Sequence, residues 1–274
     1  MAFPPKLLSV SVSVAISGGF KLYVAFILAG IMPDLLTCVA ATFIIYAVYT
    51  FDRAAKSKED EINRGGLCAS SSKWVYVVIC GFLLTSIIIL SAYSPLLVLF
   101  PLMMGLIYSK GIKIKDMSLK LKRGLGVKNL VVSFTWSMTI VLFLQFWIKN
   151  FFVLFSIGAF FFFKSFIVTV ICDFRDIKGD STTGLATLPV KFGEWSTKKL
   201  LLTIHMLLHF WMAIAVLLQF IQFEPAILIY SWMIGFFYIL FYASSKSRSA
   251  IFREIATYGE WIIAVILRQA TYFF

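Results

Sequence analysis

The sequence predicts an all-α protein, a polytopic membrane bundle of nine transmembrane helices that forms a single domain over residues 1–274. The first observation is composition, since 61% of the 274 residues are hydrophobic and 14% are charged, whereas soluble domains are about 45–50% apolar and about 25% charged. The second is that the apolar residues fall into nine segments, and the third is that Lys and Arg collect in alternate loops. These observations exclude a soluble globular enzyme and a disordered chain.

Nine apolar segments follow one another along the chain, separated by two kinds of loop. The loops after odd-numbered segments are very short, whereas those after even-numbered segments are long and polar. About 20 apolar residues cross a bilayer as a helix, and the fourth segment is short by that measure. The predicted spans are Leu7–Met32, Leu35–Phe51, Trp74–Ala92, Pro95–Tyr108, Leu130–Ile148, Phe151–Cys172, Leu200–Phe220, Pro225–Ala243 and Ile255–Phe274.

The basic residues predict the orientation of the bundle. Twenty of the 25 Lys and Arg residues lie in four ranges that follow or border even-numbered spans: 53–73, 110–128, 173–199 and 244–254. Cytoplasmic loops of membrane proteins are enriched in Lys and Arg. We therefore expect these loops and the N-terminus to be cytoplasmic. Nucleic-acid binding is not expected, because the basic residues lie in short interhelical loops.

Three aspartates follow the sixth span. Asp173, Asp176 and Asp180 are spaced i, i+3 and i+7, so their carboxylates share one face if the helix continues through them. Such carboxylates repel one another unless a cation compensates, and Mg²⁺ typically binds through one or two carboxylates together with substrate phosphates. We expect a Mg²⁺ site that also holds a diphosphate. A solvated, charged helix end is the alternative.

Another acidic cluster follows the second span. Asp52, Glu59 and Asp60 lie on one side of that helix if it continues, and they are predicted to bind a second Mg²⁺. Arg53 and Lys56 are expected to reach phosphate oxygens, since Arg and Lys are the usual phosphate partners. An interfacial charged loop is the alternative. Two acidic helix ends facing one cavity would bind a diphosphate through Mg²⁺, above Phe-rich helices that hold an apolar tail.

At these residues the chain resembles the UbiA superfamily of intramembrane prenyltransferases, over essentially its whole length. The segment Asp173–Gly193 is similar to the family's second motif, Asp-x-x-Asp-x-x-x-Asp followed by Gly-x-x-Thr-Leu-Pro-x-x-x-Gly. Tyr108, Lys128 and Asn129 also match family positions and are expected to bind substrate. The resemblance implies a Mg²⁺-dependent enzyme that moves an isoprenoid chain from a prenyl diphosphate to an aromatic or lipid acceptor, which the sequence does not identify.

The first motif departs from the family pattern at Lys56, where the family has a carboxylate. Three interpretations stay open: Lys56 contacts the diphosphate, Glu59 replaces the missing ligand, or fewer metal ions bind. Within the resemblance, the residues expected to be catalytic and to bind Mg²⁺ are Asp52, Asp60, Asp173, Asp176 and Asp180, with Glu59 as a further metal ligand.

Two lysines lie inside predicted spans, where an ionisable side chain is a functional candidate by default. Lys164 lies about two turns before Asp173, so we expect it to approach the diphosphate or to pair with an aspartate, with a structural role as the alternative. Lys21 lies in the first span. His205 and His209 are spaced i, i+4 on the seventh span and are predicted to pack within the bundle.

Departure of the diphosphate would leave an allylic cation, which aromatic faces stabilise, and an acceptor atom would then attack it. Two other functions stay open. One is a membrane terpene cyclase, which needs no external acceptor. The other is a non-catalytic protein that binds or transports polyprenyl lipids.

Overall fold

The computed structural model describes residues 5–54, 73–110, 112–114, 117–119, 125–182, 184–244 and 250–271, and these are almost entirely helical, which confirms the predicted fold class. The helices, numbered in chain order, are α1 Pro5–Leu28, α2 Leu35–Ala54, α3 Lys73–Ile89, α4 Leu96–Lys110, α5 Val127–Leu144, α6 Phe151–Thr182, α7 Leu188–Leu217, α8 Pro225–Tyr242, α9 Ala250–Tyr258 and α10 Glu260–Ala270. An antiparallel pair of short strands, β1 Ile112–Ile114 and β2 Met117–Leu119, lies in the basic loop between α4 and α5 and was not predicted.

Six of these helices are long and apolar enough to cross a membrane: α1, α2, α5, α6, α7 and α8. The third and fourth predicted spans correspond to two shorter apolar helices, α3 and α4. The number of nine spans and the cytoplasmic side of the long loops stay predictions.

The last predicted span differs from the structure, because the chain breaks at Gly259 between α9 and α10. A Cβ atom at Gly259 would lie 2.5 Å from the carbonyl oxygen of Ile255, so only glycine fits this close approach. The polar Glu260 begins α10 and is fully buried. A continuous apolar helix over Ile255–Phe274 was therefore the wrong prediction for the described part of this segment.

Helix α7 begins at Leu188, twelve residues before the predicted start of the seventh span at Leu200. Pro189 occupies its first turn, where the missing N–H of proline is not needed. The backbone leaves helical geometry at Gly193, with φ of 78°, and resumes afterwards. A glycine tolerates this left-handed conformation without strain.

Helix α1 lies at the centre of the bundle, where it contacts α2, α5, α6, α9 and α10. Its close approach to α2 and α5 depends on Gly18, since a Cβ atom there would lie 2.2 Å from Ile45 Cδ1 of α2 and 2.8 Å from the Trp136 ring of α5. Through these contacts α1 contributes Ser13, Val14 and Lys21 to the wall of the candidate site.

Candidate active site

A cavity of about 550 Å³ lies between α1, α2, α4, α5, α6 and α9. Its mouth carries most of the charged lining residues at one end of the bundle, and its interior is lined by apolar, hydroxyl and aromatic side chains and by Lys21. The charged lining residues at the mouth are Asp52, Arg53, Lys128, Arg175, Asp176, Arg253 and Glu254. Ligand sites in helix bundles commonly combine an apolar cavity with a few converging polar groups.

Helix α6 carries the second acidic motif because it continues without interruption to Thr182. It ends where Gly184 adopts a φ of +71° and the Leu185 N–H donates to the Asp180 carbonyl oxygen at 2.8 Å. A glycine in the left-handed conformation is a common helix terminator. The predicted continuation of the sixth span through Asp173, Asp176 and Asp180 is therefore confirmed.

Asp173 is fully buried and binds two residues at the start of α5. Its Oδ1 lies 2.8 Å from Lys128 Nζ, and its Oδ2 accepts a hydrogen bond of 2.8 Å from Asn129 Nδ2. Gly126, with a φ of 67°, immediately precedes α5, so both partners lie in its first turn. Lys128 also lines the cavity. The predicted substrate-binding residues Lys128 and Asn129 thus meet the predicted catalytic Asp173.

Asp176 faces the cavity and is paired with its neighbour Arg175, which donates from Nε to Oδ1 at 2.5 Å and from Nη2 to Oδ2 at 2.7 Å. A carboxylate has about four lone-pair sites, so two hydrogen bonds leave room for further ligands. Asp180 is buried and does not line the cavity, but it lies near enough to Lys128 for their charges to interact.

Asp52 and Arg53 line the cavity from the last turn of α2. Tyr108, at the opposite wall on α4, lies close enough to Asp52, Asp173 and Lys128 for its phenol to interact with their charges. The first and second acidic motifs therefore meet around one cavity. The other predicted residues of the first motif, Lys56, Glu59 and Asp60, lie outside the described residues.

The donor set at the mouth suits Mg²⁺ together with a phosphate ligand. In the described ranges, no three His, Cys, Asp or Glu side chains lie close enough together to hold a metal ion on their own. Asp52 and Asp176 both face the cavity beside basic side chains. Mg²⁺ usually binds through one or two carboxylates and completes its ligands with substrate phosphate and water. These two aspartates are therefore enough to bind Mg²⁺ together with a phosphate ligand.

Lys164 has a different place from the one predicted. Its Nζ lies 2.7 Å from Glu260 Oε1 and donates to the Ser231 carbonyl oxygen at 3.0 Å, and it does not line the cavity. Glu260 is the first residue of α10, directly after the break at Gly259, and its buried carboxylate contacts α6 through Lys164. Lys164 is thus a structural residue that forms an ion pair with Glu260. Within the described chain, it contacts none of the three aspartates of the second motif and no residue at the mouth of the cavity.

Several residues that line the cavity were not predicted as site residues. Arg253, Glu254 and Tyr258 come from α9, which the sequence had assigned to the edge of an ordinary span. Arg175 and Tyr49 also face the cavity. The sequence pattern that could have predicted these site residues is the charged pair at 253–254, which lies in a basic loop directly before an apolar segment.

A family model described as the UbiA prenyltransferase family matches residues 10–258 of this chain.

This chain belongs to that family.

Solved structures of UbiA homologues have the same fold. A UbiA homologue from Archaeoglobus fulgidus bound to GPP and Mg²⁺ matches with a TM-score of 0.67 and 14% identity, over 97% of this chain and 98% of that one. The same homologue bound to DMAPP and Mg²⁺ matches with a TM-score of 0.64 and 13% identity, over 98% and 99% of the two chains. A digeranylgeranylglyceryl phosphate synthase matches with a TM-score of 0.57 and 14% identity, over 97% and 94%.

No curated protein matches the sequence. Membership in the UbiA family, together with six helices suited to crossing a membrane, makes the chain an integral, multi-pass membrane protein.

Proposed function

We propose that this UbiA-family chain is a Mg²⁺-dependent prenyltransferase that moves an isoprenoid group from a prenyl diphosphate to an aromatic or lipid acceptor. The observation that carries the proposal is the single cavity lined by both Asp52 and Asp176, beside the basic Arg53 and Lys128. Relatives of the same fold bind DMAPP or GPP with Mg²⁺, which supports this substrate class.

The charged mouth would bind the diphosphate and the interior its apolar tail. Arg53, Lys128 and Arg253 line the mouth and would donate hydrogen bonds to phosphate oxygens, and Asp52 and Asp176 would hold the metal. When bound, Mg²⁺ neutralises the charge that develops on the leaving diphosphate. Asp173 positions Lys128 through their ion pair and Asn129 through its hydrogen bond, and both contacts fix the start of α5.

The chemistry follows from this arrangement. The bond between the allylic carbon and the diphosphate oxygen breaks, and the electron pair leaves with the diphosphate. The allylic cation lies below the mouth, where the rings of Tyr49, Tyr108 and Tyr258 line the cavity, and aromatic faces attract cations. A nucleophilic atom of the acceptor forms the new bond to the allylic carbon and the acceptor releases one proton to water.

The test is release of diphosphate from geranyl and geranylgeranyl diphosphates by the purified chain, with and without Mg²⁺ and with and without a pool of acceptors. We expect release that requires Mg²⁺ and an acceptor, and a loss of at least a hundredfold in the Asp176→Asn variant. The matched control is Asp34→Asn, because Asp34 binds Thr37 and Tyr93 and does not line the cavity. This variant should keep the wild-type rate.

Two results would contradict the proposal. Release without any acceptor, together with a cyclic hydrocarbon product, would identify a terpene cyclase. Binding of the diphosphates without release under any condition would identify a non-catalytic polyprenyl-lipid binding protein.

A further inference from the structure

The interior of the cavity contains a buried lysine that the proposed reaction does not use. Lys21 on α1 lines the cavity and is 6% exposed. Its Nζ lies 3.9 Å from the centre of the Trp136 ring and donates to Ser165 Oγ at 3.4 Å. An ammonium group has three donors, and within the described chain these contacts use one of them in a hydrogen bond.

The charges around Lys21 do not balance within the described part of the chain. Lys21 lies near enough to Glu260 and Lys164 for their charges to interact, but the Glu260 carboxylate is already paired with Lys164 at 2.7 Å. Two buried lysines therefore share one buried carboxylate. A buried lysine without a carboxylate of its own either loses its proton or gains an anionic partner, and the cavity beside Lys21 is where an anionic partner can enter.

The cavity walls differ in polarity. Below the mouth, α2 and α4 contribute mainly apolar side chains, among them Ile45, Val48, Pro101 and Met104. Helices α1 and α6 contribute Lys21 and the hydroxyl side chains Ser13, Ser165 and Thr169, and α5 adds Thr135 and Thr139. A hydrocarbon tail fits the first wall, whereas a compound with a polar group fits the second.

Lys21 is too deep to share the diphosphate with the mouth. Its partner Ser165 precedes Asp176 by eleven residues on α6, which is about 16 Å along the helix axis at 1.5 Å per residue. Its other partner, Trp136, follows Lys128 by eight residues on α5, or about 12 Å. The space between these levels separates an anion-binding mouth from a second cationic group in the interior.

We propose that Lys21 binds an acidic group, a carboxylate or a phosphate, on the acceptor. The acceptor then lies along the polar wall with its acidic end against Lys21 and Ser165, and its nucleophilic atom towards the diphosphate. The proposal rests on the proposed function and specifies the acceptor as an anionic compound, in contrast to a neutral alcohol or hydrocarbon.

The experiment measures binding of matched probe pairs to the full-length protein in nanodiscs by equilibrium dialysis, with empty nanodiscs subtracted. One pair is 4-hydroxybenzoate and its methyl ester, and the other is a glycerol phosphate prenyl ether and its phosphate-free alcohol, so the pairs distinguish a carboxylate from a phosphate. We expect the acidic member of at least one pair to bind about tenfold more tightly, as for a hydrogen bond to a charged group. Lys21→Met should remove this preference, and Lys21→Arg should keep it.

Lys198 provides the control. Its ammonium group donates to the Leu240 carbonyl oxygen and does not line the cavity, so Lys198→Met should keep the preference for the acidic probe. The proposal is overturned if wild-type protein prefers no acidic probe, or if Lys21→Met keeps the preference.

Binding of geranyl diphosphate, measured on the same samples, shows that Lys21→Met is folded and separates the two proposals. Normal geranyl diphosphate binding and turnover without any acid preference would overturn only the role of Lys21. Acid preference without diphosphate release would contradict the prenyltransferase and leave the anion site standing.

Discussion

Lys128 Nζ lies 2.8 Å from Asp173 Oδ1, and this ion pair joins the first turn of α5 to α6 at the mouth of the cavity. The carboxylate is fully buried, whereas the lysine side chain is 26% exposed. Lys128 can therefore face a bound anion while Asp173 holds it in place, which gives a buried aspartate a positioning role in the proposed diphosphate site.

The two partners of this pair should respond differently to substitution. Lys128→Met leaves the buried carboxylate of Asp173 without its cation and should lower the free energy of unfolding by about 2 kcal/mol. This loss is smaller than the roughly 3–5 kcal/mol typical of a wholly buried pair, because Lys128 is partly exposed. Asp173→Asn leaves a partly exposed lysine without its carboxylate and should lower the free energy of unfolding less. Thermal unfolding in detergent checks the order, and equal losses would show that burial of Asp173 does not control it.

Breaking the pair between Lys164 and Glu260 should destabilise the protein by about 3–5 kcal/mol, because both side chains are 1% exposed. Glu260→Gln should cost more than Lys164→Met, since it leaves two buried lysines, Lys164 and Lys21, without their shared carboxylate.

The Lys164→Met/Glu260→Gln double variant should be more stable than the Glu260→Gln single variant, because it leaves one fewer unpaired buried charge. Unfolding in mixed micelles measures all three variants. A Lys164→Met protein less stable than Glu260→Gln would argue against the coupling of Lys21 to Glu260.

Gly235 allows α8 to approach His205 of α7, since a Cβ atom at Gly235 would lie 2.1 Å from His205 Cε1. His205 is fully buried, and its Nε2 lies 3.0 Å from the Trp232 carbonyl oxygen. Gly235→Ala should therefore lower the free energy of unfolding by about 1–3 kcal/mol, the usual range for overpacking a core.

Gly81→Ala is the matched control, because a Cβ atom at Gly81 meets nothing within 4 Å. The substitution at this exposed helical position should leave the free energy of unfolding unchanged or raise it by up to about 1 kcal/mol, since alanine loses less backbone entropy than glycine on folding. Thermal unfolding of both variants is the measurement. Adding His205→Ala to Gly235→Ala should recover part of the loss, and no recovery would place the strain elsewhere.

Most of the bundle could be predicted from sequence because a membrane span is a local property. An apolar segment of sufficient length satisfies its own backbone hydrogen bonds as a helix, so the composition of Phe151–Cys172 was enough to locate α6. The spacing of Asp173, Asp176 and Asp180 was equally local. The break at Gly259 was not predicted, because it depends on a close contact between this glycine and the Ile255 carbonyl oxygen. The apolar composition of the segment gives no sign of such a contact.

The fold class and the helical continuation through the second motif follow from the sequence alone, and so does the family resemblance, which membership confirms. Which charges meet depends on how the helices pack: Asp173 binds Lys128, 45 residues away, Lys164 binds Glu260, and Lys21 faces the cavity. A helix forms through interactions between neighbours along the chain, whereas a buried charge is neutralised by whichever helix packs against it.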